Sequence, residues 1–210
     1  MEKKKYSIKE DMSLLSLLLI PIAVAINYVG GQLAVLLKLP FYLDVIGTIM
    51  AAMLGGPWIG ALAGLVTNLI LGITNPTFLP FAIVNVAVGL VTGFCARKDY
   101  FRDIPRIILS IIYMSLISLV TSIPIVVLMF GGVTGGGTSL ITGVLMASGR
   151  DIWVAVTSTE ILFTGLDRII SILITFGIVR VSPPRTLVRF PCGENYIKDA
   201  QTDVDETLDE

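Results

Sequence analysis

Six runs of mainly apolar residues, at about 13–37, 40–55, 57–73, 80–96, 105–130 and 155–180, constrain this chain more than any motif in it. A helix needs about 20 such residues to cross the hydrocarbon core of a bilayer, and fewer when its ends are anchored in interfacial loops. Continuous apolar runs, where a barrel would show alternation, exclude a closed β-barrel. Charged residues make up 15% of the 210 positions, well below the roughly 25% of a soluble domain. The sequence therefore predicts an all-α integral membrane bundle of six transmembrane helices forming one domain, residues 13–182. A basic segment, 1–12, precedes it and a tail, 183–210, follows.

Loop lysines and arginines resist translocation and so set orientation. Lys3, Lys4, Lys5 and Lys9 precede the first run, Arg97, Lys98, Arg102 and Arg106 separate the fourth from the fifth, and Arg180, Arg185, Arg189 and Lys198 follow the sixth. The opposite side holds only Lys38 and Arg150. Both termini are thus expected in the cytoplasm, and the acidic tail DAQTDVDETLDE has the composition of a disordered segment. The first run is longer than the core of a cleavable signal and is expected to remain as a helix.

Several chemistries drop out. The chain has no histidine, which removes imidazole catalysis and most transition-metal sites. Cys95 and Cys192 form neither a disulfide frame nor a close metal pair. The stretch GVTGGGTS, starting at Gly132, mimics phosphate-loop spacing, but Thr138 stands where the phosphate-binding lysine is required. No catalytic residue, metal site, cofactor or nucleic-acid partner is expected, and any ATP hydrolysis would belong to another polypeptide.

Polar residues within the apolar runs are the candidate ligand site. Thr157, Glu160, Thr164, Asp167, Arg168, Ser171 and Thr175 follow three- and four-residue steps and form one narrow stripe on the sixth helix. A charged side chain at the bilayer centre costs about 2.5–3.5 kcal/mol on insertion scales, so the stripe must face inward. It reads either as a polar seam between helices or as the lining of a hydrated cavity, with Glu160 nearer the outside. Asp44 opens the second helix, where a cap to the helix dipole and a ligand contact explain it equally well. Asn68, Asn75, Thr77 and Asn85 bracket the NPT turn between the third and fourth helices, where amides can satisfy an unwound backbone or hold a ligand. Trp153 stands at the end of the long glycine-rich stretch 130–154, which has room to dip back as a lid. Gly56, Gly60 and Gly64 repeat every fourth residue, as do Gly89 and Gly93, giving grooves for close helix packing or for another membrane protein.

In their order and spacing, the block from LPFYLDVIGTIMAAMLGGPWIGALAGLVTNLILGITNPT to AVGLVTGF, with FGGVTGGGTS and LDRIISILITF after it, resembles the substrate-binding S component of an energy-coupling factor vitamin transporter. The likeness covers roughly residues 13–182. It implies a non-catalytic subunit of a prokaryotic plasma membrane that captures a vitamin at the outer face. Uptake would then run through a transmembrane coupling subunit and two cytoplasmic ATPases. The implied substrate-binding residues are Asp44, Asn68, Asn75, Thr77, Asn85, Trp153, Glu160, Thr164 and Asp167. Docking on the coupling subunit would use small residues of the first helix, with Ala23, Asn27 and Gly31 in one register or Gly30 and Ala34 in another. Cargo is expected among cobalamin or a related corrinoid, pyridoxine, pantothenate, riboflavin and other B vitamins, with a lean to the corrinoid. The alternative is a membrane sensor or assembly module without a small-molecule cargo.

Overall fold

The computed structural model describes residues 11–197; the lysines at 3, 4, 5 and 9, Lys198 and the acidic tail lie outside them. The described residues form helices and turns, with no strand among them. Helix α1, Leu14–Leu36, is interrupted by a single turn at Leu18. It is followed by α2, Ile46–Gly55, α3, Pro57–Thr74, and α4, Ala82–Arg97. Helix α5 spans Ile104–Phe130, α6 Gly137–Ala147, α7 Ile152–Val181 and the short α8 Pro184–Leu187. Four of these, α1, α3, α5 and α7, are long and apolar enough to cross a membrane, whereas α2, α4 and α6 are shorter. Their outward residues are apolar too: Ile73, Val120, Leu128 and Leu173 are all exposed, the pattern of a bundle solvated by hydrocarbon and not by water.

The centre of the fold is α2. Its sequence, IGTIMAAMLG, is apolar on every side, and every one of its residues is buried, as expected for a helix enclosed by others. It packs against α1, α3, α4 and α7. Ten residues at 1.5 Å each give only about 15 Å, half a hydrocarbon core. The predicted second helix, from residue 40, therefore begins late. Leu43 adopts φ 51°, a left-handed conformation unfavourable for a leucine, and with Pro40 it keeps the segment 38–45 irregular.

Asn27, near the middle of α1, fixes where α2 starts. Its Oδ1 accepts the Gly47 N–H at 2.7 Å, satisfying one of the free donors of the first turn. Its Nδ2 donates to Thr48 Oγ1 and Thr67 Oγ1, each at 2.9 Å, so one buried amide ties α1, α2 and α3 together. Next to it a Cβ on Gly47 would lie 2.1 Å from the Ala23 carbonyl oxygen. The small residues of α1 thus pack within this chain. Ala23, Asn27 and Gly31 are buried, as are Gly30 and Ala34, and the docking surface expected on them is turned into the bundle. Small residues every fourth position permit close approach to any neighbouring backbone, here that of α2 and of Leu43.

The other glycine repeats behave alike. A Cβ on Gly89 would lie 2.4 Å from the Gly60 carbonyl carbon, and one on Gly93 would lie 2.2 Å from Pro57 N. The α3–α4 crossing is backbone against backbone, and its grooves are filled from inside. At the arginine-rich end, Gly56 at φ 90° turns the chain from α2 into α3, with Pro57 in the first helical position, as the sequence predicts. Asp11 pairs there with Arg97. The segment after α7, expected to be a partly disordered tail, is folded as far as residue 197. Leu187 and Phe190 join a core cluster with Leu19, Met50 and Leu54, and the Cys192 N–H donates to the Leu54 carbonyl at 3.0 Å.

Asn27→Ala should lower stability by about 2 kcal/mol, because it strands the Gly47 N–H and two threonine hydroxyls in a dry interior. Unfolding in mixed detergent micelles measures this, and a loss under about 0.5 kcal/mol would show that the helices hold position without the amide.

Candidate functional site

Because α2 starts at mid-height of α1, the space beyond its N-terminus has no helix to fill it. The segment 38–45, the Asn75–Phe81 turn and the glycine-rich loop close over that space, leaving a cavity of about 160 Å³. It lies at the end of the bundle that carries Lys38 and Arg150, opposite the arginine-rich end. Polar groups enter it from several elements: Asp44, Asn75, Thr77 and Asn85, then Ser118 and Ser122 of α5, and Glu160, Thr164 and Arg168 of α7. The apolar part of the wall includes Phe41, Phe78 and Phe81, and Phe81 stacks on Phe130 with centroids 5.8 Å apart.

The α7 stripe divides between two tasks. Asp167 is fully buried and lies outside the cavity wall. Its Oδ1 accepts the N–H groups of both Tyr42 and Leu43 at 3.0 Å, and its Oδ2 receives Arg168 Nη1 at 2.5 Å. Two backbone donors on one carboxylate oxygen hold the left-handed Leu43 in place. Arg168 also donates to Ser118 Oγ, from Nη2 at 2.9 Å and from Nε at 3.3 Å. About two turns away, Glu160 meets only hydroxyls. Tyr42 donates to Oε1 at 2.6 Å, while Ser122 and Thr164 donate to Oε2 at 3.2 and 3.4 Å. Tyr42 OH also lies 3.3 Å from Thr138 Oγ1, so the carboxylate, the 38–45 segment and the start of α6 meet at one hydroxyl.

Asp44 lines the cavity and does not cap α2. The capping position is Val45, with no side-chain cap bond. The Asp44 carboxylate forms no ion pair and receives no side-chain hydrogen bond among the described residues. Asn68 is buried beneath the wall, where its Nδ2 donates to the Phe78 carbonyl at 2.9 Å and its Oδ1 accepts from Asn85 at 2.8 Å. Asn85 also donates to the Asp44 carbonyl at 3.1 Å. These two asparagines join α3, α4 and the backbone before α2, so Asn68 supports the site from outside it. Asn75 stabilises the NPT turn by accepting from Thr77 N and Thr77 Oγ1 at 3.1 and 2.7 Å.

Trp153 lies outside the cavity wall. It is 46% exposed in the first turn of α7, where its N–H donates to Asp151. The glycine-rich stretch forms α6 and a tight loop before it, with Ser139 Oγ accepting the Thr134 and Gly135 N–H groups at 2.9 and 3.0 Å. A Cβ on Gly137 would lie 2.2 Å from the Leu39 carbonyl oxygen, so only glycine lets this loop close on the 38–45 segment. Tyr42, Ser118 and Ser122 are wall residues beyond those expected, and Arg168 joins them from the stripe. Ser110, Ser118 and Ser122 fall on one face of α5 at four-residue multiples, a weaker form of the α7 stripe that could have exposed them.

Fold and cavity together define a membrane-type helical bundle with a polar chamber at one end. No family model, curated protein or solved structure matches the chain.

Asp167→Ala should destabilise the bundle by about 3 kcal/mol, since it frees two backbone donors and leaves Arg168 buried and unpaired. Glu160→Gln should cost less than about 1 kcal/mol, because rotatable hydroxyls surround it. Parallel denaturation of the two variants checks the difference, and equal losses would contradict the division of the stripe.

Proposed function

We propose that this chain is the substrate-capturing membrane subunit of a vitamin uptake system of the energy-coupling factor type, taking its cargo from outside and handing it to separate coupling and ATPase chains. One observation carries the reading: the chamber past the end of α2, where Glu160, Asp44 and Thr164 share a wall with aromatic rings. Binding pockets for small molecules combine an apolar wall with a few converging polar groups in this way. The positive-inside rule supports an outward mouth, because the residues at that end carry few cations. Six crossings, cytoplasmic termini and a prokaryotic plasma membrane belong to the same proposal.

The size of the chamber bears on the cargo. An engineered cavity of about 150 Å³ holds benzene, so a chamber of about 160 Å³ suits a compact, one-ring compound. A corrinoid would require the three covering segments to move far apart. The proposed cargo is accordingly a small vitamin or precursor and not a corrinoid. The coupling subunit would meet a surface other than Ala23, Asn27 and Gly31, whose side chains face inward.

The purified chain, alone and without ATP, should bind one vitamin of a panel containing cobalamin, pyridoxine, pantothenate, thiamine and riboflavin with micromolar or tighter affinity. Calorimetric titration reads this directly. Silence across the panel would overturn the capture role.

A further inference from the structure

Charge is unbalanced around the chamber. Its wall contains two carboxylates, Asp44 and Glu160, and one guanidinium, Arg168. Arg168 is paired with Asp167, a third carboxylate just behind the wall, through one terminal nitrogen, and its other bonding nitrogens reach Ser118. Glu160 receives hydroxyl donors only, and Asp44 forms no ion pair among the described residues, although the Arg168 charge is felt at both carboxylates. Carboxylates within an apolar bundle are costly unless an opposite charge accompanies them. In the surrounding wall, Phe41, Phe78 and Phe81 present aromatic surface, which attracts cations as well as apolar rings.

We infer that the chamber selects a small organic cation, its positive group placed between Asp44 and Glu160 and its body against the phenylalanine-rich wall. This rests on the capture role proposed above and specifies the ligand class of that site. An organic cation fits better than a metal ion, because among the described residues no group of three or more Asp, Glu or Cys is placed to hold a metal. An anionic vitamin would bring a third negative charge to a wall whose one guanidinium is already paired with Asp167. Tyr42 OH, now the shortest donor to Glu160, marks where a ligand N–H would bind.

The test uses the full purified chain in lipid nanodiscs and three compounds built on one ring: pyridoxamine, pyridoxine and 4-pyridoxic acid, whose variable substituent is cationic, neutral and anionic. Thiamine and pantothenate extend the series as a second cation and a second anion. The cations should bind at least about tenfold more tightly than their neutral or anionic counterparts. Asp44→Asn and Glu160→Gln should each erase most of that preference while keeping the thermal stability of the parent chain. Tightest binding by pyridoxine, 4-pyridoxic acid or pantothenate would overturn the charge selection and leave capture standing. Unchanged cation preference in both variants would likewise overturn it. Absence of binding by all five compounds would overturn capture and charge selection together. Should a variant fail to fold, the comparison of the five compounds on the parent chain still decides.

Discussion

A ten-residue helix reaches only about halfway through a hydrocarbon layer, and the buried α2 is such a helix. Much of the architecture follows from that shortfall. The long helices must enclose α2 on all sides, which demands close backbone approach and explains the glycines at its contacts with α1 and along the α3–α4 crossing. They must also cover the volume beyond its first residue. Loops, not helices, do so, and loops in an apolar setting need their backbone groups satisfied. Asn27, Asn68, Asn85 and Asp167 meet this need from neighbouring helices. The cavity and the polar residues around it therefore have a common origin in the position where α2 begins.

The two sequence-level meanings of the α7 stripe, seam and lining, both hold, in different residues. Asp167 and Arg168 form the seam. Their mutual pair, with Ser118 and two backbone N–H groups, fixes the position of both ions. Glu160, two turns away, is surrounded by hydroxyls that can rotate and be displaced. A carboxylate held by rigid partners supports structure, and one held by rotatable partners can change partners. That contrast, more than burial, separates the two roles, for both side chains are almost wholly buried.

Most of the helical frame was legible because apolar runs and turn residues report directly on local conformation. Gly55, Gly56 and Pro57 marked the α2–α3 reversal, and the predicted ends of α3 and α5 lie within a residue of the observed ones. The start of α2 was legible only in part: Asp44 pointed to an opening two residues before Ile46, whereas the apolar run reached back to residue 40, and the left-handed Leu43, held from α7, could not be read from it. Small residues on α1 announced a close contact without naming the partner: Ala23 and Asn27 meet α2, and Gly31 meets Asp44 and Leu71. Polar spacing brought Asp44, Asn75, Thr77, Asn85, Glu160 and Thr164 to one cavity. It could not separate these from Asn68 and Asp167, one layer behind, or from Trp153 at the surface, because distance from a cavity is set by tertiary packing.

The segment over the chamber is held by bonds of two kinds, and this bears on how a ligand would interact with it. Asp167 grips the backbone at Tyr42 and Leu43 from behind the wall, where a ligand has no access. The Tyr42 side chain reaches into the wall and ends on Glu160, beside Thr138 at the start of α6. A guest that donates to Glu160 thus competes with one hydroxyl and leaves both backbone bonds intact. The tyrosine can turn away while Leu43 keeps its strained geometry, so accommodating a small molecule need not undo the loop. Larger cargo would have to separate Gly137 from the Leu39 carbonyl, a contact too close to admit even a methyl group, and would thereby break the closure on which the chamber depends.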